Sequence, residues 1–349
     1  TMQQDFFPEH QEVSRRYFLS RSLELGGGAA CVGASGLNND LLGDEGKPAA
    51  ASQVKLDALV KKLDFLTKPA DFGTVERGSP PPYKLPPEKL KTAGLTRESW
   101  RLEVLTDPAS NSQVKRPLRL SDGTALTFEG LMKLAEKHSV RFLKTLTCET
   151  EDAPLGTGLW EGVPLRDVIW TTDPTANIRR AWFYGYHHED PKQEFRGSLS
   201  IGRILEDPPG VPPVILCYKL NGDWISGKRG GPVRMVIPEC YGFKNIKWLT
   251  KVFLTNRFNA NDTYAGGNND IDSLMKTMAR FISKPRRGQA GQPIPLTGLA
   301  QVGVNGVSKV QAWLHPKDKP LPKDDRFFQK APWRDMDLLP PPGNFGGGL

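Results

Sequence analysis

Cysteine has the widest chemical range of any residue type here, and the chain holds four, at Cys31, Cys148, Cys217 and Cys240. None belongs to a C-x-x-C pair, which excludes zinc-ribbon, thioredoxin-like and haem-attachment spacing, and so few thiols exclude a disulfide framework. Cys148 ends the alternating run 140–147, which reads as a strand, and it opens a loop, where site residues commonly sit. Cys217 and Cys240 lie within or beside apolar strands, where a thiol serves as a small inert hydrophobe. His187 and His188 are adjacent, so in an extended segment they face opposite ways and make poor joint metal ligands. Lys and Arg number 47 against 39 Asp and Glu, a net charge of +8. They are scattered, without a recognition helix or stacking aromatics. That excludes a nucleic-acid module and suits an anionic cofactor or substrate.

The elements that must position these groups follow from composition and periodicity. Thirty-five Gly and 30 Pro are too many for a mainly helical chain. Strands are expected over 100–106, 140–147, 181–186, 214–218, 233–237 and 246–254, and a helix over 127–137. A short amphipathic helix is expected over 54–66, an extended proline-rich stretch from Ser79, and another helix running through Phe281. Two further strands, 298–303 and 307–314, begin a second domain. At the other end, Ser14-Arg15-Arg16-Tyr17-Phe18-Leu19 before a weakly apolar stretch has the form of a twin-arginine export signal, too short and Gly-rich to span a bilayer. The expected partition is a leader over 1–35, a linker and extended segment over 36–95, a main mixed α/β body over 96–256 reaching to about 290, and a smaller β domain over 291–349.

Three motifs carry a resemblance. The first is Thr145-Leu146-Thr147-Cys148 with Trp160-Glu161-Gly162-Val163-Pro164-Leu165 downstream. The second is Leu220-Asn221-Gly222, Gly231-Pro232-Val233-Arg234 and Val236-Ile237-Pro238. The third is Tyr241-Gly242 with Ile246-Lys247-Trp248-Leu249. In this order they resemble the sulfite oxidase family of molybdopterin-dependent oxidoreductases, most strongly over residues 96–256. The resemblance implies a mixed α/β, sheet-rich molybdopterin-binding fold followed by a partial immunoglobulin-like β-sandwich, a region through which relatives often dimerise.

The same resemblance makes Cys148 the protein thiolate on molybdenum, a soft donor in a sulfur-rich sphere that a nearby cation would deprotonate. It makes Arg234 and Lys247 holders of the pterin cofactor, with main-chain contacts from Asn245 and Ile246. Arg229 stands where many relatives have histidine. Asp190 matches an acidic residue that meets the pterin, and reads equally as part of a solvated charged loop. The family's upstream cofactor-contacting element is reduced to Val75-Glu76-Arg77-Gly78-Ser79, leaving Arg77 as its candidate, and Tyr264 falls where a pocket tyrosine belongs. After the cysteine, Glu149-Thr150-Glu151-Asp152 replaces the family's Gly-Asn pair and substrate arginine. Carboxylates there would repel sulfite unless they face solvent or pair with Arg141 or Arg166.

The implied activity is oxygen-atom or electron transfer on a small oxyanion, sulfoxide or related substrate in the periplasm. Electrons would pass to or from an external carrier such as a c-type cytochrome, because no C-x-x-C-H occurs in the chain. The rival is an exported binding or structural protein that keeps the fold without catalysis.

Overall fold

The computed structural model describes residues 66–148, 154–189, 193–208, 211–263, 272–283, 296–301 and 307–339, and the backbone of 30–33. Arg15 and Arg16, residues 54–65, Glu149 to Asp152, Asp190 and Tyr264 lie outside them.

Two five-stranded sheets make the body. The first runs β10 (Arg234–Val236), β8 (Ile215–Leu220), β5 (Gly156–Pro164), β4 (Val140–Leu146), with β9 (Asp223–Trp224) hairpinned onto β8 at Asn221-Gly222. Asn221 has φ 57° and Gly222 φ 89°, the left-handed pair that a tight two-residue hairpin requires. This sheet separates two cores. On β8, Leu216 and Tyr218 face the larger core, while Ile215 and Cys217 face a smaller one with Phe72, Phe142, Leu146 and Trp160. The alternation is the period of two of an extended strand, buried here on both sides.

The second sheet runs β3 (Leu126–Thr127), β2 (Arg101–Thr106), β11 (Leu249–Thr255), β6 (Arg180–Gly185), β7 (Phe195–Ser200). Its β2–β11 pair is parallel, and the other ladders are antiparallel. Helix α1 (Pro87–Thr92) precedes this sheet, and α2 (Phe128–His138) packs on β5. Thr127 caps α2 by accepting the Gly130 N–H at 2.9 Å. Helices α3 (Leu165–Thr171) and α4 (Ile201–Leu205) are joined through Asp207, which pairs with Arg166 and Arg203. Arg203 also grips Glu239 with Nε at 2.6 Å and Nη2 at 2.9 Å. Arg166 is thus engaged away from Cys148.

Beyond the body, β12 (Met278–Ser283), β13 (Thr297–Gln301), β1 (Ala30–Gly33) and β16 (Asp337–Leu339) form a four-stranded sheet, and β14 (Gln311–Ala312) pairs with β15 (Arg334–Asp335). Residues 278–283 are therefore strand where a helix was expected. Their pairing with β13 decides what local pattern could not. The strand expected over 307–314 shrinks to its central pair. Ala30–Gly33, read as the end of a leader, lies between β13 and β16. The immunoglobulin-like form of this region stays an expectation.

Candidate cofactor site

Cys148 stands just beyond the end of β4, buried but reaching a cleft of about 590 Å3 counted out to its open mouth. The cleft is lined by Phe72 to Val75 and Arg77, by Phe195 at the start of β7, by Arg229 and Arg234, and by the turn carrying Asn245, Lys247 and Trp248. Cys148, Arg77, Arg229, Arg234, Asn245 and Lys247, far apart in sequence, are thereby gathered into one wall. Ile246 is not. It is buried in the larger core, with its N–H on the Lys244 carbonyl and its own carbonyl taking the Met235 N–H. An outward main-chain contact from Ile246 is therefore corrected: its two neighbours face the cleft and it faces inward.

Local backbone chemistry explains how the turn forms. Trp248 has φ 52°, uncommon for a bulky residue. It is held there by its N–H on the Gly230 carbonyl at 2.9 Å and its indole Nε1 on the Gly227 carbonyl at 2.8 Å. Gly230, at φ 99°, has no room for a side chain, since a Cβ would stand 2.7 Å from Lys247 Cβ. The Gly-Gly-Pro stretch thus lets the Arg229 loop lie directly against Lys247.

Among the described residues the wall is strongly cationic and poor in counter-charge. Lys247 Nζ donates to Thr74 Oγ1 at 3.1 Å and to the carbonyls of Val75 and Lys228 at 3.2 and 3.3 Å. Burial, and then the neighbouring guanidiniums of Arg234, Arg229 and Arg77, push its pKa down to about 7 against the weaker opposing pull of Glu76. Arg234, fully buried, is pushed down to about 10 by burial. It donates to the carbonyls of Arg229 and Asn245, each at 2.9 Å, while its Nε finds no partner. Arg229 gives its guanidinium to the carbonyls of Phe72 and Gly73 and stacks over the Phe72 ring at 4.7 Å. It clamps the segment before Arg77 from its place in the cleft wall. Arg77 lies over the Phe195 ring at 4.4 Å.

Cys217 and Cys240 behave as read from sequence. Both are buried thiols, the first pushed up to about 12 and the second raised further by burial. Sequence reasoning missed the pair that fixes the turn. Lys244 Nζ meets Asp262 at 2.7 Å and the Ser198 carbonyl at 2.9 Å, and Ser198 Oγ donates to Asp262 at 2.6 Å. No spacing in the chain links Asp262 to Lys244, and only the fold brings them together. Asn245 then accepts the Ile237 N–H and donates to the carbonyls of Cys240 and Tyr241. Phe72 was also missed. Its place is signalled by Gly156 and Gly158, whose absent side chains would stand 2.9 and 3.4 Å from its ring.

Among the described residues no group of three or more His, Cys, Asp or Glu could hold a metal unaided. A metal at Cys148 must therefore arrive with ligands of its own. One soft sulfur, several buried cations that among the described residues are short of anions, an Arg234 Nε with no partner among them and aromatic walls fit a metal carried on an anionic, ring-bearing phosphate ester.

Comparison with known proteins agrees. A model of the oxidoreductase molybdopterin binding domain matches residues 90–263. The chain belongs to this family. It is 28% identical over 178 residues to the NADH nitrate reductase of Spinacia oleracea, covering 45% of this chain and 18% of that one. It is 31% identical over 106 residues to the NADPH nitrate reductase of Pichia angusta, covering 30% and 12%. Mitochondrial sulfite oxidase of Drosophila melanogaster is 26% identical over 135 residues, covering 38% and 23%. The matched stretches thus span less than a quarter of these relatives. The sulfane dehydrogenase SoxCD of Paracoccus pantotrophus superposes with TM-score 0.44 at 15% identity, covering 59% of this chain and 64% of that one. The cofactor of the domain is molybdenum-molybdopterin, and the body is a sheet-rich mixed α/β unit of the sulfite oxidase type.

Proposed function

We propose that this chain is an exported molybdenum-pterin oxidoreductase that transfers an oxygen atom or electrons on a small substrate and exchanges electrons with a separate carrier, for which a c-type cytochrome is the expected class. The observation that carries the reading is the convergence of Cys148, Arg77, Arg234, Asn245 and Lys247 on one cleft. When bound, the cofactor supplies the two-electron redox chemistry, and the protein supplies binding, orientation and electrostatics. Cys148 would hold the metal. Lys247, whose pKa is depressed by burial and the neighbouring guanidiniums, would take a proton as an anionic phosphate or pterin oxygen replaces its carbonyl partners. Arg234 would brace the wall through the Arg229 and Asn245 carbonyls, and Arg229 would keep Phe72 and Gly73 closed over the cleft. Arg77, lying over the Phe195 ring, adds a further cation to the cleft wall.

The named relatives act on nitrate or sulfite, both small oxyanions, which supports a substrate of that class; a sulfoxide is the neutral rival. Glu149, Glu151 and Asp152 follow Cys148 directly in the sequence, and carboxylates close to the metal ligand would favour the neutral substrate. Assays of sulfite oxidation and sulfoxide reduction at low and high salt separate the two. Sulfite turnover that falls with added salt marks a cationic entrance, and turnover that rises marks an acidic one. The reading itself is tested by metal and pterin analysis of protein made with cofactor. About one molybdenum per chain is expected, with loss of metal in Cys148→Ser at unchanged circular dichroism, because a hydroxyl is a harder donor that stays protonated. No metal in the unaltered, folded chain would turn the reading into that of an exported binding protein. A homodimer is the rival to a single chain in solution, and the exposed Leu314, Leu321, Phe327 and Trp333 are the residues it would cover.

A further inference from the structure

Behind the cleft, three polar donors converge on one sulfur. Gln301 Nε2 lies 3.0 Å from Met275 Sδ, Thr147 Oγ1 lies 3.2 Å from it, and Lys144 Nζ lies 3.8 Å from it. The donors come from β13, from the residue before Cys148 and from the middle of β4, and all are buried together with Met275. Lys144 spends its other protons on the carbonyls of Pro238 and Cys240, at 2.7 and 2.8 Å. The Gln301 amide oxygen has no partner among the described residues. Buried donors ordinarily find strong acceptors, and a thioether is a weak one. A hydroxyl, an amide and an ammonium aimed at the same weak acceptor form a cradle whose chemistry suits an oxygen.

We propose that Met275 is a modification site, oxidised by a peroxide to methionine sulfoxide, whose oxygen Lys144, Thr147 and Gln301 are placed to hold. In the step, a sulfur lone pair attacks one peroxide oxygen. An S–O bond forms and the O–O bond breaks. Sulfur gives up two electrons, and the second oxygen leaves with a proton as water. Sulfoxidation of a buried methionine usually disrupts its core, because a polar group replaces an apolar one. At Met275 the new oxygen instead meets donors that lacked an acceptor worthy of them. The ammonium, too distant for a bond of ordinary length to the sulfur, stands where an oxygen on that sulfur would bridge the two. Since Thr147 precedes Cys148, the oxidation state of Met275 is passed to the residue next to the metal ligand. This inference does not depend on the substrate or even on the presence of activity.

The test treats the folded, cofactor-loaded chain with graded hydrogen peroxide, maps oxidation at each of the six methionines by peptide mass, and follows the thermal midpoint. Wild type, Gln301→Leu and Met275→Leu are run in parallel, the last reporting oxidation elsewhere. Expected are conversion of Met275, an oxidised wild type melting no lower than the untreated protein once the Met275→Leu change is subtracted, and an oxidised Gln301→Leu melting below its own untreated form. If Gln301→Leu does not fold, Thr147→Val serves in its place. Met275 left unmodified when the half-buried Met278 and Met336 are fully converted would overturn the proposal. So would a midpoint that falls equally in wild type and in the cradle variant.

Discussion

The body over 90–263 and the region after Gln301 use apolar residues in opposite ways. In the body, Trp100, Trp160, Phe183, Leu131 and Ile169 have no measurable exposure, and β8 is buried on both faces between two cores. In the region after Gln301 the described core reduces to Val307, with Ala300 of β13 beside it and Val310, Met336 and Leu338 against them, while Phe327 is 72% exposed. A rigid body can hold buried, unneutralised cations in place until an anionic cofactor meets them. A thinly packed periphery could not. The cleft is thus built at the expense of the body's packing energy, and little of its geometry depends on residues 307–339.

The sharpest way to break this contrast is to remove the buried carboxylate beside the cleft. Asp262→Ala leaves the Lys244 ammonium buried without its partner, and a loss of about 3–5 kcal/mol is expected. Urea denaturation measures it, and Asp262→Asn should lose less. A loss below about 1 kcal/mol would mean that water reaches Lys244 and that the body is looser than it looks. Next in size are Lys247→Ala and Arg234→Ala, which should weaken cofactor retention by about 1.5–3 kcal/mol each, roughly tenfold to a hundredfold, in pterin released on dilution. The Lys247 change should leave the fold of the cofactor-free chain intact, whereas Arg234→Ala should also lower its stability, because the Arg229 and Asn245 carbonyls lose their donors.

How much of this could be read from residues alone follows the same division. Cys148, Arg234, Asn245 and Lys247 were legible because their neighbours recur as motifs and because alternating strands end at them. The two-residue hairpin at Asn221-Gly222 was legible from turn chemistry. Lys144 was not, since a lysine in the middle of a strand reads as a solvent-facing position, and only the carbonyls of Pro238 and Cys240 explain its burial. The carbonyls that the Arg229 guanidinium meets were not legible either, because they depend on the path of Phe72 and Gly73, more than 150 residues away in sequence. Residues 278–283 were misread because a strand outside the main sheets is decided by its partner. Periodicity describes one segment, and these outcomes depend on two.

A smaller effect is expected from pH, and its sign follows from burial. Lys247 and Lys144 are depressed to about 7 and about 8 by desolvation, while the unfolded chain titrates near the ordinary lysine value. Between these values the unfolded state binds more protons than the folded one, so the cofactor-free chain should gain stability as pH rises above about 7. Below that pH the cost of burying the charges is fully present. Cofactor retention should run the other way, because an anionic group favours protonated Lys247, and should weaken as pH rises past the same point. Denaturation midpoints of the cofactor-free chain and pterin retention of the loaded chain, each followed from about pH 6 to 9, should therefore show opposite slopes. Lys247→Met should flatten the retention slope. Parallel slopes would place Lys247 outside the cofactor's reach.

The smallest effect belongs to the periphery. Phe327 is largely exposed and touches Arg326 through a loose cation–π contact at 5.6 Å. The nearby Lys309–Asp335 pair, at 3.3 Å, is also exposed on both sides. Phe327→Ser and Asp335→Asn should each change stability by no more than about 0.5 kcal/mol, because neither alters a buried contact and exposed ion pairs are screened. Both should leave molybdenum and pterin content unchanged. The measurement is the denaturation midpoint at two protein concentrations, since association makes apparent stability concentration-dependent. Equal, near-zero changes at both concentrations keep the periphery as thin as its packing suggests. A larger loss for Phe327→Ser that grows with concentration would show this face covered by a second copy of the chain, and the apolar residues that the periphery leaves outside would then belong to an interface core.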